Sequence, residues 1–130
     1  MEKKPTTKQI EQMAKEVRKF LLDHEIWQDV TIYFNGKAFS TSDGTNYYYN
    51  DPEHLIVLED KDPRDYFRYV NPDHILSMSF EGPLYCCMNR VGEYGYEFED
   101  MVSDGLRSIF AKYGCYGELG NAWNLTLYLI

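Results

Sequence analysis

Apolar positions recur with two different periods along the chain, and the changes of period mark its elements. Thr6 and Gln9 stand at capping-box spacing, and behind them Ile10, Met13, Ala14, Val17 and Leu21 fall at i, i+3, i+4, i+7 and i+11. That stripe predicts a helix from about residue 7 to 24. Its other face carries Lys8, Glu11, Lys15, Glu16 and Lys19, with Glu11 and Lys15 a favourable i,i+4 pair, and reads as a solvated face.

The period then shortens to two. Val30, Ile32 and Phe34 alternate with Thr31 and Tyr33, and Asn35-Gly36 separates them from Lys37-Ala38-Phe39-Ser40-Thr41. Asn-Gly between strand-like runs signals a type I′ hairpin, because both turn residues must tolerate φ > 0. A two-residue loop places Ile32 opposite Phe39 on the buried face. Ser42 to Asn46 makes a second turn, Tyr47-Tyr48-Tyr49 begins another extended stretch, and Leu55-Ile56-Val57-Leu58 reads as a buried strand.

Asp62-Pro63-Arg64-Asp65 has the order of a helix start, with Asp62 as N-cap and Pro63 at N1, giving one short turn through Phe67 and Tyr69 that Asn71-Pro72 ends. Leu76, Met78 and Phe80 alternate with Ser77 and Ser79 as a further strand. Pro83 opens either a short helix through Asn89, with Leu84, Cys87 and Met88 on one side, or a second hairpin strand. Residues 90 to 96 form a loop. From Glu97 a helical stripe returns in Phe98, Met101, Val102, Leu106, Ile109, Phe110 and Tyr113, and Gly114 occupies the C′ position. Gly105 lies on that stripe and implies a neighbour packed close to the backbone. Gly120-Asn121 is the candidate turn before a last strand in which Trp123, Leu125, Leu127 and Leu129 alternate. The elements predict an α+β fold: two amphipathic helices packed on one face of a largely antiparallel sheet of about five strands.

A chain of 130 residues suits a single domain spanning 1-130 with one core. No apolar run approaches the roughly 18 residues of a membrane-spanning helix, and the start of the chain has no h-region, so a cytoplasmic protein is expected. Three cysteines, two of them adjacent at Cys86 and Cys87, make no disulfide framework and agree with a reducing compartment.

Charge changes the picture more. The net charge is −8, yet residues 1 to 20 hold six Lys or Arg against three Glu, leaving seven basic and eighteen acidic residues beyond them. So acidic a body argues against direct nucleic-acid binding, which depends on neutralising phosphates, and favours a basic protein partner.

Candidate chemistry is sparse. His24, His54 and His74 are dispersed, no Cys-x-x-Cys occurs, and no Gly-x-Ser-x-Gly elbow marks a nucleophile, so neither a zinc site nor a catalytic set is expected and no cofactor is implied. Cys87 and Cys115 read as small core residues, and Ser77 and Ser79 as the exposed face of a strand. Gly92-x-x-Gly95 precedes an acidic helix start, where carboxylates repel phosphate.

Two acidic clusters remain: Asp60, Asp62 and Asp65 around a turn, and Glu93, Glu97, Glu99, Asp100 and Asp104 around the second long helix. Asp60 and Asp62 with a histidine have the oxygen chemistry of a Mg²⁺-dependent hydrolase or nuclease. The helix dipole explains most of these acids without any function. The twelve tyrosines are harder to absorb, above all Tyr47, Tyr48 and Tyr49 and the pairs Tyr66 with Tyr69 and Tyr94 with Tyr96. Tyrosine couples a large apolar area to a polar tip, the chemistry of protein interfaces. The candidate partner-binding set is therefore Tyr47, Tyr48, Tyr49, Asp60, Asp62, Glu93, Tyr94, Tyr96, Glu97, Glu99, Asp100 and Asp104.

In its size, acidity and acid-tyrosine surface, and in segments such as Trp27-Gln28-Asp29-Val30 through Asn35-Gly36 and Ser77 through Tyr85, the chain resembles small acidic α+β proteins of phage and mobile elements, anti-CRISPR proteins among them. The resemblance implies a non-enzymatic inhibitor whose carboxylates stand in for phosphates along a basic channel of a nucleic-acid-handling effector. No motif is common to anti-CRISPR proteins, so it assigns no residue. The alternatives are the metal-dependent hydrolase and an accessory subunit that forms homo-oligomers through a sheet edge.

Overall fold

The structure is a computed structural model that describes residues 4–67, 70 and 74–130. Tyr69, Asn71 and Pro72, expected to close the short turn after Pro63, lie outside the described residues.

The first helix, α1 (Thr7–Asp23), begins where the capping box places it: the Thr6 hydroxyl accepts the Gln9 N–H at 3.1 Å, and the Gln9 side chain accepts the Thr6 N–H at 2.9 Å. Its five stripe residues are all buried. Strands β1 (Val30–Phe34) and β2 (Lys37–Ser40) form the Asn35-Gly36 hairpin with Ile32 opposite Phe39, and both turn residues have positive φ. There follow β3 (Ile56–Leu58), a 3₁₀ turn over Pro63–Asp65, β4 (Ser77–Phe80), α2 (Gly82–Asn89), α3 (Tyr96–Lys112), β5 (Cys115–Asn121) and β6 (Asn124–Leu129). The fold is α+β, and the sheet runs β3-β2-β1-β4-β6-β5 with every neighbour antiparallel.

The register sorts side chains into two unlike faces. Phe39, Ile32, Met78 and Leu125 lie in one cross-strand row, all buried, against Met13, Val17 and Leu21 of α1, Leu84 and Cys87 of α2, and Val102, Leu106 and Phe110 of α3. Burial of each such large side chain contributes about 1.5–3 kcal/mol. The next row, on the opposite face, is Ser40, Thr31, Ser79 and Asn124. A small second cluster of Tyr33, Ala38 and Phe67, with Leu58 and Val70 against it, covers part of that polar face.

Several expectations need correction. The described residues hold three helices and six strands rather than two and about five. Pro83 does open a helix, α2, and the strand alternative fails because residues 82–89 bond along the helix. Leu55 to Leu58 is not a buried strand: β3 pairs only with β2, so Leu55 and Val57 stay exposed at the sheet edge. The final hairpin turns at Ala122-Trp123, two residues beyond Gly120-Asn121, and its first arm, β5, has no apolar alternation to announce it. Gly105 meets the expected neighbour: a Cβ there would sit 2.3 Å from the Phe20 ring, so α1 packs this ring directly on the α3 backbone and any side chain at 105 must displace it.

Candidate functional site

The tyrosine run is positioned by the turn before it. Asp43 accepts the N–H groups of Thr45 and Asn46 at 2.9 and 2.7 Å, and Ser42 bridges to Tyr47. Tyr47 and Tyr49 consequently emerge on one side with ring centroids 5.7 Å apart, while Tyr48 turns away and stacks on His54 at 4.3 Å. Tyr47 is 63% exposed. The Tyr49 hydroxyl donates to an Asp29 carboxylate oxygen at 2.5 Å, and that bond, reinforced by burial and by the Asp29 charge, pushes the phenol up to about 12. Tyr48 thus serves a local stack, and Tyr47 and Tyr49 are the outward pair.

Asp60 and Asp62 have different fates. Asp62 caps the 3₁₀ turn by accepting the Arg64 N–H at 2.9 Å and also receives the Arg64 guanidinium on both oxygens, which lowers its carboxyl to about 2. Asp60 is exposed and makes no ion pair among the described residues. Beside them the Lys61 ammonium donates to the Tyr66 hydroxyl at 3.1 Å, and Tyr66 stacks on Tyr33. The expected Asp60, Asp62 and histidine triad is not assembled: no group of three or more His, Cys, Asp or Glu converges among the described residues.

The third group is split between structure and surface. Glu99 is fully buried and accepts the backbone N–H groups of Gly92 at 2.8 Å and Tyr94 at 3.2 Å, so it holds the loop before α3 rather than a partner. Asp100 binds Arg90 at 3.0 Å, and the Arg90 guanidinium lies 4.5 Å over the Tyr96 ring. Asp104 pairs with Arg107 at 3.0 Å. What remains outward and without a cation among the described residues is Glu93 and Glu97, beside Tyr94 and Tyr96 at 46% and 53% exposure. Tyr94, Glu97, Phe98 and Met101 line an open hollow there. Loop, cation and helix therefore present two tyrosines and two unpaired carboxylates.

Ser77 departs from expectation. It is not on an exposed strand face but fully buried, with its Oγ 3.0 Å from Thr126 Oγ1 and 3.2 Å from His74 Nδ1, because the loop before β4 folds over it. Burial pushes the His74 imidazole below its usual value. A serine beside a histidine suggests a nucleophile, but this hydroxyl faces its neighbours, not a substrate. Cys87 and Cys115 are buried core residues, and burial raises the Cys87 thiol to about 12, far from a reactive thiolate.

Sequence reasoning missed a second feature of the polar face. Asp29, Thr31, Ser40, Thr41, Ser42, Ser79, Glu81 and Trp123 surround a groove of about 270 Å³. The Thr31 and Ser79 alternation was its only trace in the sequence; the pairing of two distant strands created it.

Seven of the cations among the described residues are already engaged. Lys15, Lys19, Lys37, Arg64, Arg90, Arg107 and Lys112 all contact carboxylates. The surplus negative charge is consequently concentrated on residues such as Asp29, Asp60, Glu81, Glu93 and Glu97. No described helix is long and apolar enough to cross a membrane. The chain matches no known protein family, no curated protein and no solved structure.

Proposed function

We propose that this protein is a non-enzymatic binding protein whose acidic, tyrosine-bearing surface engages a basic protein partner. The observation that carries this reading is the pairing of exposed tyrosines with carboxylates that have no cation partner among the described residues: Tyr47 and Tyr49 beside Asp29, Tyr94 and Tyr96 beside Glu93 and Glu97. Unpaired carboxylates accelerate encounter with a positive surface, and tyrosines then supply desolvated contact area. The partner class is a nucleic-acid-handling effector with a Lys- and Arg-lined channel, in which these carboxylates take the place of phosphates.

Binding to a panel of RNA-guided nucleases, measured at several salt concentrations, tests this. The expected result is a complex whose affinity falls steeply with salt and which Glu93→Gln with Glu97→Gln weakens. No complex with any of them, or a complex mapped entirely to the basic α1, overturns it.

One observation favours a second reading, an accessory subunit that self-associates. Strand β5 is a seven-residue edge with Tyr116 and Leu119 exposed, a row of free backbone groups able to pair with another copy. Light scattering across a hundredfold concentration range, expected to show a monomer-dimer equilibrium that a Leu119→Lys substitution abolishes, decides it.

A further inference from the structure

The groove on the polar face has an electrostatic oddity. Val30 and Phe80 are cross-strand partners, so Asp29 and Glu81 are the next pair along, joined by the Glu81 N–H donating to the Asp29 carbonyl at 2.9 Å. Both lie just beyond the strand ends, Asp29 with positive φ and Glu81 at the start of α2, and both line the groove. None of the ion pairs among the described residues involves either one. Tyr49 occupies one Asp29 oxygen, leaving the other free of hydrogen bonds among the described residues. That free oxygen faces Gly82, where a Cβ would stand 3.3 Å away, so glycine leaves it uncovered. Glu81 sits at the N-cap of α2 yet makes no capping bond, so its carboxylate is free as well.

The rest of the lining suits one particular cation. Thr31, Ser40, Thr41, Ser42, Ser79 and Trp123 line the groove, and the Ser40, Thr41 and Ser42 oxygens each accept one backbone N–H, which leaves each a second lone pair. A volume of about 270 Å³ is below the ~300 Å³ at which small-molecule sites begin, and fits a single side chain. Guanidinium has five donors, no acceptor and a flat face that stacks on an indole, so it suits two carboxylates without cation partners, hydroxyl oxygens with a lone pair to spare and a neighbouring tryptophan together. Ammonium is a point charge and uses the tryptophan less well. We infer that this groove receives one arginine side chain of the basic partner, an inference that rests on the binding role proposed above.

N-acetyl-arginine amide titrated into ¹⁵N-labelled protein tests the groove without any partner. The expected result is saturable shifts of the Thr31 and Ser79 amides and the Trp123 indole, weaker ones with N-acetyl-lysine amide, and none with neutral N-acetyl-citrulline amide. Glu81→Gln, at an exposed position with no internal bond, should weaken arginine binding about fivefold while leaving the melting temperature in place. Citrulline shifting the same signals equally, or no saturable shift with arginine, overturns the inference. The two readings separate with a nona-arginine peptide. If it binds while the groove signals stay still, the acidic-surface role stands and the groove is removed from it. If N-acetyl-arginine amide fills the groove but nona-arginine binds no tighter, the groove stands and the wider surface falls.

Discussion

The two faces of the sheet are built by the same strands and differ in everything else. One residue apart along β1, Ile32 is sealed beneath the helices, while Thr31 faces a groove open to solvent. Across β2, β1, β4 and β6 the row through Ile32 is wholly apolar, and the row through Thr31 is Ser, Thr, Ser and Asn. The first face holds the fold by apolar burial under three helices. The second is left partly uncovered, and the carboxylates that flank it, Asp29 and Glu81, make no ion pair among the described residues. Stability and binding are thus separated by a single step of the pleat, which makes the separation testable by paired substitutions.

The largest expected effect is on the apolar face. Ile32→Ala leaves a cavity beneath α1 and should cost about 2–5 kcal/mol in urea denaturation, whereas Thr31→Val should stay within about 1 kcal/mol. Equal losses at the two positions would break the comparison.

Next come the places where one residue sets the position of a whole element. Gly105→Ala forces the Phe20 ring off its contact and should cost about 1–3 kcal/mol, parting α1 from α3. Glu99→Ala should cost a similar ~1–3 kcal/mol, because two buried backbone N–H groups lose their acceptor, and should broaden the amide signals of residues 91–95. Glu97→Ala, two positions earlier and solvated, should be close to neutral for stability and reduce only partner binding. A large loss at Glu97 would mean that its carboxylate is structural too.

These predictions also mark what the sequence allowed to be read. Local chemistry was legible where it is self-contained: Thr6 and Gln9 as a capping box, Asn35-Gly36 as a hairpin with its register, Pro83 as a helix start, Gly105 as a close approach. Features made by distant pairing were not. Ser77 reads as an exposed strand residue until β6 and His74 are placed over it, and Leu55 to Leu58 reads as buried until β3 proves to be an edge. Glu99 is indistinguishable in sequence from Glu97 and Asp100, since all three satisfy the dipole preference of a helix start; only the path of the loop through Gly92 and Tyr94 singles it out. The groove is the extreme case, with Asp29 and Glu81 52 residues apart in sequence and hydrogen-bonded just beyond the paired ends of β1 and β4.

The smallest expected effects are in titration. Tyr49 is raised to about 12 by its bond to Asp29, so this contact contributes stability that is complete below the ordinary phenol value near 10 and lost as pH rises toward 12. Phenolate absorbance should show Tyr49 and Tyr113 both titrating late, and Tyr49→Phe should remove one of the two. Asp62 runs the other way: lowered to about 2 by Arg64, it contributes stability present above about 4 and lost as pH falls toward 2. Asp62→Asn should flatten the acid limb of the stability curve over that window and leave neutral pH nearly untouched.

The central claim is that surplus carboxylates and exposed tyrosines together form a docking surface for a basic partner. The most direct measurement is amide-shift mapping of bound nona-arginine at low and at high salt. The account predicts shifts at Asp29, Tyr47, Tyr49 and Glu81 or at Glu93 through Glu97, with affinity falling by about tenfold or more from roughly 50 to 300 mM salt. Shifts confined to α1, or binding indifferent to salt, would contradict it.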